Sequence, residues 1–318
     1  MTGILLIMLA ATLWAADTLI RYPLLETNST LQIVFYEHLL LVIVLAGILL
    51  LNRRTKFPFK KEAVIPFLFI GVLGSALGTL AFTKAFTMMN PTLVILLQKL
   101  QPVVAISMAA FILGEPLRKR FALWALVSLS GSILMIAPDI KALLQTSQWF
   151  YDPALKNIAL ATGSALVAVF VWGSSTVFGR KLTLLGYKSH QIMSGRFSLG
   201  FITLLFLMVI YQENFLLSAG SLPKLSLMVA MSGLLGMWLY YQGLKRIPAR
   251  YGTIGELFFP VAAVMINWLL LDIPLTWQQA VGGAVLILGS IMVTREPRIE
   301  LKQPTDEPAI DSESVALK

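Results

Sequence analysis

The chain has 318 residues, of which 57% are apolar and only 13% charged. Ordinary globular domains carry about 25% charged residues, so a water-soluble fold is excluded. The net charge of +9 comes with no cysteine at all, which rules out disulfides, thiol chemistry and cysteine-based metal sites.

Ten apolar segments follow one another along the chain. They lie near Gly3–Ile20, Leu31–Leu51, Ala63–Thr87, Pro91–Leu113, Phe121–Ala137, Asn157–Phe178, Gln191–Tyr211, Leu225–Leu244, Tyr251–Leu271 and Trp277–Val293. A helix needs about 20 such residues to cross roughly 30 Å of hydrocarbon. Lipid cannot satisfy backbone groups, and the runs lack barrel-type alternation, so the reading is an all-α integral membrane protein of ten transmembrane helices. The first segment lacks a basic leader and aligns with an internal helix, so it is expected to be retained rather than cleaved as a signal peptide. After Val293 the composition turns polar, and residues 296–318 read as a disordered tail.

The basic residues are distributed unevenly. Alternate connections carry Arg53, Arg54, Lys56, Lys60 and Lys61, then Arg118, Lys119 and Arg120, then Arg180, Lys181 and Lys188, then Lys245, Arg246 and Arg250. The opposite connections are assigned only Arg21, Lys141, Lys156 and Lys224. Positive charge marks the cytoplasmic face, so both termini are expected there, in an inner or plasma membrane. The basic excess is then a topology signal, and no nucleic-acid partner is expected.

The chain also matches itself at a constant offset of 158 residues. Trp14 aligns with Trp172, Thr18 with Thr176, Gly78 with Gly236, Phe82 with Tyr240, Pro102 with Pro260 and Pro116 with Pro274. Gly131-Ser132-Ile133 aligns with Gly289-Ser290-Ile291. Two halves, 1–145 and 150–295, of five crossings each imply a second copy inserted upside down. Inverted repeats of this kind are an architecture of secondary transporters.

Charges inside the segments are few: Asp17, Glu37, Lys84, Lys99, Arg196 and Glu256, with the titratable His38 beside them. Each costs on the order of 3 kcal/mol near the membrane centre, so each needs a reason to be there. Gln98 and Glu256 are offset partners, and each precedes a helix-kinking proline, Pro102 or Pro260, by four residues. Lys99 and Gln101 flank the same proline. Glu256 is read as the acid that binds a proton or a substrate amine, with Asp17 and Glu37 behind it; a permanent Glu256–Lys99 ion pair is the structural alternative. Arg196 and His38 are also offset partners. They either anchor their helices on carbonyls or, for Arg196, bind a substrate carboxylate in fork geometry. Lys84 either lines the pathway or snorkels to water. Trp14 and Trp172 are either interfacial belt residues or, with Ser175, Tyr240 and Gln242, an aromatic and polar lining suited to a small organic solute. Gly74 and Gly78 give a spacing for close helix packing.

Phe82-Thr83-Lys84-Ala85-Phe86, Asn90-Pro91-Thr92, Leu100-Gln101-Pro102 and Leu113-Gly114-Glu115-Pro116-Leu117 together resemble the EamA-type drug/metabolite transporters. The resemblance covers nearly the whole chain. It implies two inverted five-helix repeats, a central pathway between helices 1–4 and 6–9, and helices 5 and 10 as structural. Leu271-Asp272 departs from the Gly-Glu ending of the first half. No phosphate-binding GxxxxGK[ST] loop or other enzyme signature is present, so no cofactor, metal or catalytic residue is expected. The leading expectation is a secondary exporter of an amino acid or related metabolite, with a proton as the candidate coupling ion. An importer of the same class and a non-transporting scaffold are the alternatives. The solute, the coupling ion, the direction and the oligomeric state are not encoded in any motif.

Overall fold

The computed structural model describes residues 2–51, 59–114, 120–145, 153–244 and 258–295. Ten helical rods account for them, one for each predicted segment. They are α1 (Thr2–Leu24), α2 (Thr30–Leu51), α3 (Lys61–Ala85), α4 (91–113), α5 (Phe121–Gln145), α6 (Pro153–Leu184), α7 (Ser189–Ile210), α8 (221–244), α9 (Phe258–Leu271) and α10 (Trp277–Arg295). Six of the rods contain stretches long and apolar enough to cross a membrane: α1 to α4, α6 and α7. Shorter apolar stretches lie in α5, α8 and α9. Leu5, Ile43, Leu126, Ile133, Phe170, Ile202, Phe206 and Trp268 point outward and exposed, as lipid-facing side chains do in a multi-pass membrane protein.

Several rods are longer than their apolar cores, which moves some charges out of the connections. Arg21 lies inside α1 rather than in an external loop. Lys61, Lys141, Lys156, Arg180, Lys181 and Lys224 likewise belong to the ends of helices.

Local chemistry sets the breaks. Asn90 caps α4 by accepting from the Thr92 N–H, with Pro91 at the first turn, where its missing donor costs nothing. Gly114 ends α4 in the left-handed conformation at φ 68°. Before Pro102, α4 tightens into a 3₁₀ turn over Gln98–Leu100, then resumes as Gln101–Leu113. A proline cannot donate to the preceding turn, and the tighter turn accommodates that. Two other rods widen. In α3 the segment Phe69–Leu77 is π-helical, and in α8 the segment Val229–Gly236 is too. They overlap at the 158-residue offset.

The packing repeats at the same offset. α1 packs on α8 and α9, and its counterpart α6 packs on α3 and α4. α2 pairs with its own counterpart α7, and α5 with α10. The α5–α10 crossing is close: a side chain at Gly131 would strike the backbone of Leu286, and one at Gly289 would strike Ser128. At one end of the bundle, Leu24, Ile33, Leu225 and Met228 form an apolar cluster. At the other end, Ala63, Phe67, Ile70, Leu182 and Tyr187 form another. Leu24 and Leu182, Leu225 and Phe67, and Met228 and Ile70 are offset partners.

The two ends are closed by different chemistry. At the Asn28 end, Asn28 Nδ2 donates to Ser221 Oγ at 2.9 Å, and Gln32 Nε2 donates to the carbonyls of Asn214 and Leu216 at 2.7 and 3.0 Å. Ser218 Oγ donates to Asn28 Oδ1 at 3.0 Å. At the Lys60 end the seal is mostly aromatic, with Phe67 edge-on to Tyr187 at 5.1 Å and Phe69 against Phe178 at 4.5 Å.

Candidate functional site

One polar network joins four helices. Arg21, in the last turn of α1, is buried. Its Nε donates to Asp17 Oδ2 at 2.6 Å, one helical turn earlier. Its Nη1 donates to Glu37 Oε2 of α2 at 3.0 Å and to Thr83 Oγ1 of α3 at 3.2 Å. From α8, Ser232 Oγ donates to Asp17 Oδ1 at 2.7 Å. Two carboxyl groups share one guanidinium. Charge-assisted bonds of this kind are about twice as strong as neutral ones.

Arg21, expected in an external loop, belongs instead to this network. The apolar pattern fades at Ile20, so a boundary there puts Arg21 in a loop. The Asp17-to-Arg21 spacing of four residues was the available signal, because such residues meet on one helix face. Thr83 and Ser232 carried no charge to draw notice.

The two predicted tryptophans make exchanged contacts. Trp14 Nε1 donates to the carbonyl of Ser232 at 3.0 Å, and Trp172 Nε1 donates to the carbonyl of Gly74 at 2.8 Å. Ser232 and Gly74 are themselves offset partners, each within a π-helical segment. Each indole needs room: a Cβ on Gly236 would lie 2.7 Å from Trp14 Nε1, and one on Gly78 would lie 2.9 Å from Trp172 Nε1. The tryptophans therefore tie α1 to α8 and α6 to α3, rather than sitting in an interfacial belt. Phe82 lies against the Trp172 ring at 4.9 Å.

The remaining predicted residues divide by place. His38 is buried between α2 and α3; Nδ1–H donates to Val34 O at 2.8 Å, and Nε2 is hydrogen-bonded with Ser75 Oγ at 2.9 Å. A carbonyl only accepts, so Nδ1 carries a proton. Arg196 is half-buried on α7, its guanidinium 5.8 Å from the Phe197 ring, which meets the His38 ring edge-on at 5.7 Å. His38 and Arg196 thus come together where α2 crosses α7. Ser175 is buried against Gly74, and its Oγ has no hydrogen-bond partner among the described residues. Lys84 is exposed at the end of α3, while its neighbour Thr83 is the buried polar position of that turn. Gln98, Lys99 and Gln101 are half-buried on α4, with Lys99 Nζ over the Phe259 ring at 4.5 Å. Gln242 is half-buried on α8. Pro102, Tyr240 and Pro260 lie in α4, α8 and α9 by their backbones. Glu256 lies outside the described residues. Among the described residues, no group of three or more His, Asp or Glu is placed to hold a metal ion.

The model of the EamA-like transporter family matches residues 1–137 and 160–295. The chain belongs to the EamA-like transporter family. Its similarity to the "Riboflavin transporter ImpX" of Fusobacterium nucleatum is 29% identity over 307 residues, covering 92% of this chain and 97% of that protein. The "Uncharacterized inner membrane transporter YhbE" of Escherichia coli K12 is also 29% identical, over 134 residues and 42% of each chain. A solved crystal structure superposes with a TM-score of 0.60 at 15% identity, covering 94% of this chain and 99% of its own, which is a likeness of fold. This EamA-like protein is a membrane transporter of a small metabolite, not an enzyme and not a scaffold.

Proposed function

We propose that this EamA-like transporter works by alternating access of two inverted five-helix repeats, 1–145 and 150–295. The single observation that carries the mechanism is the exchanged pair of bonds, Trp14 to Ser232 O and Trp172 to Gly74 O. Each half grips the π-helical segment of the other at the same register. A symmetric exchange of this kind lets one half rock against the other around a fixed centre.

The proposed solute is a flat, polar heteroaromatic molecule of the riboflavin type. The full-length likeness to a protein named as a riboflavin transporter supports this class. Trp14, Trp172 and Phe82 supply aromatic faces, and Gln98, Gln101 and Gln242 supply groups that would pair with ring carbonyls and hydroxyls. The amino-acid exporter expected from the resemblance is the second reading. It is favoured by Arg196, a half-buried guanidinium beside His38 that would hold a carboxylate, with Glu256 proposed for the amine. Both termini are proposed to be cytoplasmic, from the basic connections at the Lys60 end.

Purified protein in proteoliposomes tests the reading. Flux of radiolabelled riboflavin, measured in both directions with and without a pH gradient, should exceed that of empty vesicles and saturate. Saturable flux of amino acids with none of riboflavin would replace the first reading by the second.

A further inference from the structure

The two halves are related in register but not in chemistry, and the difference sits at the π-helical segments. In α8, Ser232 Oγ lies between two acceptors: Asp17 Oδ1 at 2.7 Å and the carbonyl of Met228 at 2.8 Å. A hydroxyl has one proton, so it serves one acceptor at a time. The first choice ties α8 to α1 and to the Arg21–Glu37 pair beyond Asp17. The second is a bond back to its own helix four residues earlier, which leaves α8 untied on that side. The counterpart site in α3 has neither option. Gly74 stands where Ser232 stands, and Ser175 stands where Asp17 stands.

We propose that Ser232 is a switch residue and that Asp17, Arg21 and Glu37 form its lock, so that the hinge in α8 answers to a carboxylate while its counterpart in α3, with Gly74 and Ser175 at the matching positions, does not. This rests on the reading of the chain as two halves that rock against each other. With the Ser232 O–H donated to Asp17, α8 is held to α1, and the Asn28 end stays shut. Rotation of the Ser232 O–H from Asp17 to Met228 O breaks that side-chain bond between α8 and the charged group. The Trp14 indole still holds the Ser232 carbonyl at 3.0 Å, so α8 swings about that point rather than leaving. The π-helical widening supplies the freedom, because its wider turns lack the regular i to i−4 ladder that stiffens an α-helix. At the Lys60 end, Trp172 holds Gly74 O in the same way, but the π-helical segment of α3 meets an imidazole, His38 against Ser75 Oγ at 2.9 Å, rather than a carboxylate. The Asn28 end therefore responds to the chemistry at Asp17, and the Lys60 end follows mechanically.

The absence of cysteine permits a clean test with spin-label pairs in the full chain, reconstituted in nanodiscs. Glu26→Cys with Lys224→Cys reports the Asn28 end, and Glu62→Cys with Leu184→Cys reports the Lys60 end; all four positions are exposed. Ser232→Ala should raise the ratio of long to short distances at the Asn28 end by roughly tenfold, the change expected from about 1.4 kcal/mol. Ser232→Thr, which keeps the hydroxyl, should restore the original distribution. Asp17→Asn, which keeps an acceptor oxygen but loses its charge, should fall between them. Ser175→Ala should leave the Lys60 end as it was. An unchanged Asn28 end in Ser232→Ala, or a shift at the Lys60 end in Ser175→Ala, would overturn the proposal. The distances need no solute, so a shift in them without riboflavin flux would refute the substrate reading and leave the switch intact.

Discussion

Removing the Arg21 guanidinium should destabilise the protein more than any change to its exposed lysines. Arg21→Met keeps the apolar stem and leaves Asp17 and Glu37 facing each other across the space between α1 and α2. Breaking a buried pair from one side costs about 3–5 kcal/mol, since a charge is left unpaired. The low end applies here, because the Asp17 and Glu37 side chains retain 14% and 18% exposure. At about 2 °C per kcal/mol for a chain of this size, a loss of about 3 kcal/mol corresponds to roughly 6 °C in Tm. The assay is thermal unfolding in detergent, followed by tryptophan fluorescence and checked by monodispersity. Lys84→Met serves as the exposed control and should shift Tm by less than about 1 °C. The triple variant Asp17→Asn, Arg21→Met, Glu37→Gln removes every charge together and should recover most of the loss, because no unpaired ion remains. An Arg21→Met protein as stable as the Lys84→Met control would refute the reasoning. So would a triple variant less stable than Arg21→Met alone.

Gly78→Ala and Gly236→Ala should each cost about 1–3 kcal/mol, since the added carbon meets an indole nitrogen. Gly163→Ala, with nothing within 4 Å, should stay within about 0.5 kcal/mol in the same melts. His38→Ala leaves the Ser75 hydroxyl buried without its partner and should cost about 1–3 kcal/mol while leaving the pH profile of transport unchanged. A changed profile would give His38 a coupling role instead. Glu256→Gln should abolish pH-driven flux with near-normal expression if the acid couples protons; failure to fold, shared by Lys99→Met, would mark a structural ion pair. A reporter fused after Val293 should score as cytoplasmic, and external activity would invert the proposed topology.

What could be read before folding was the part that the membrane itself enforces. A helix that crosses lipid must be apolar along about 20 residues, so the ten segments were legible from composition alone. A constant offset of 158 residues survives in the sequence because paired positions such as Trp14 and Trp172 or Gly78 and Gly236 make equivalent contacts. The sequence placed Trp14 and Trp172 among the functional candidates on that basis, and Asp17 and Glu37 as charges inside apolar segments. It did not say what they touch. Arg21 looked like a loop charge because hydrophobicity falls before the helix ends, and only the folded α1, continuing to Leu24, turns it inward to Asp17 and Glu37. The π-helical segments leave no local signature, since the bonds from Trp14 and Trp172 come from helices that lie 218 and 98 residues away in the chain. The split between a switchable Ser232 and a mute Gly74 likewise exists only in three dimensions. A hydroxyl chooses between acceptors by their distance, and distance between α1 and α8 is set by packing rather than by order along the chain.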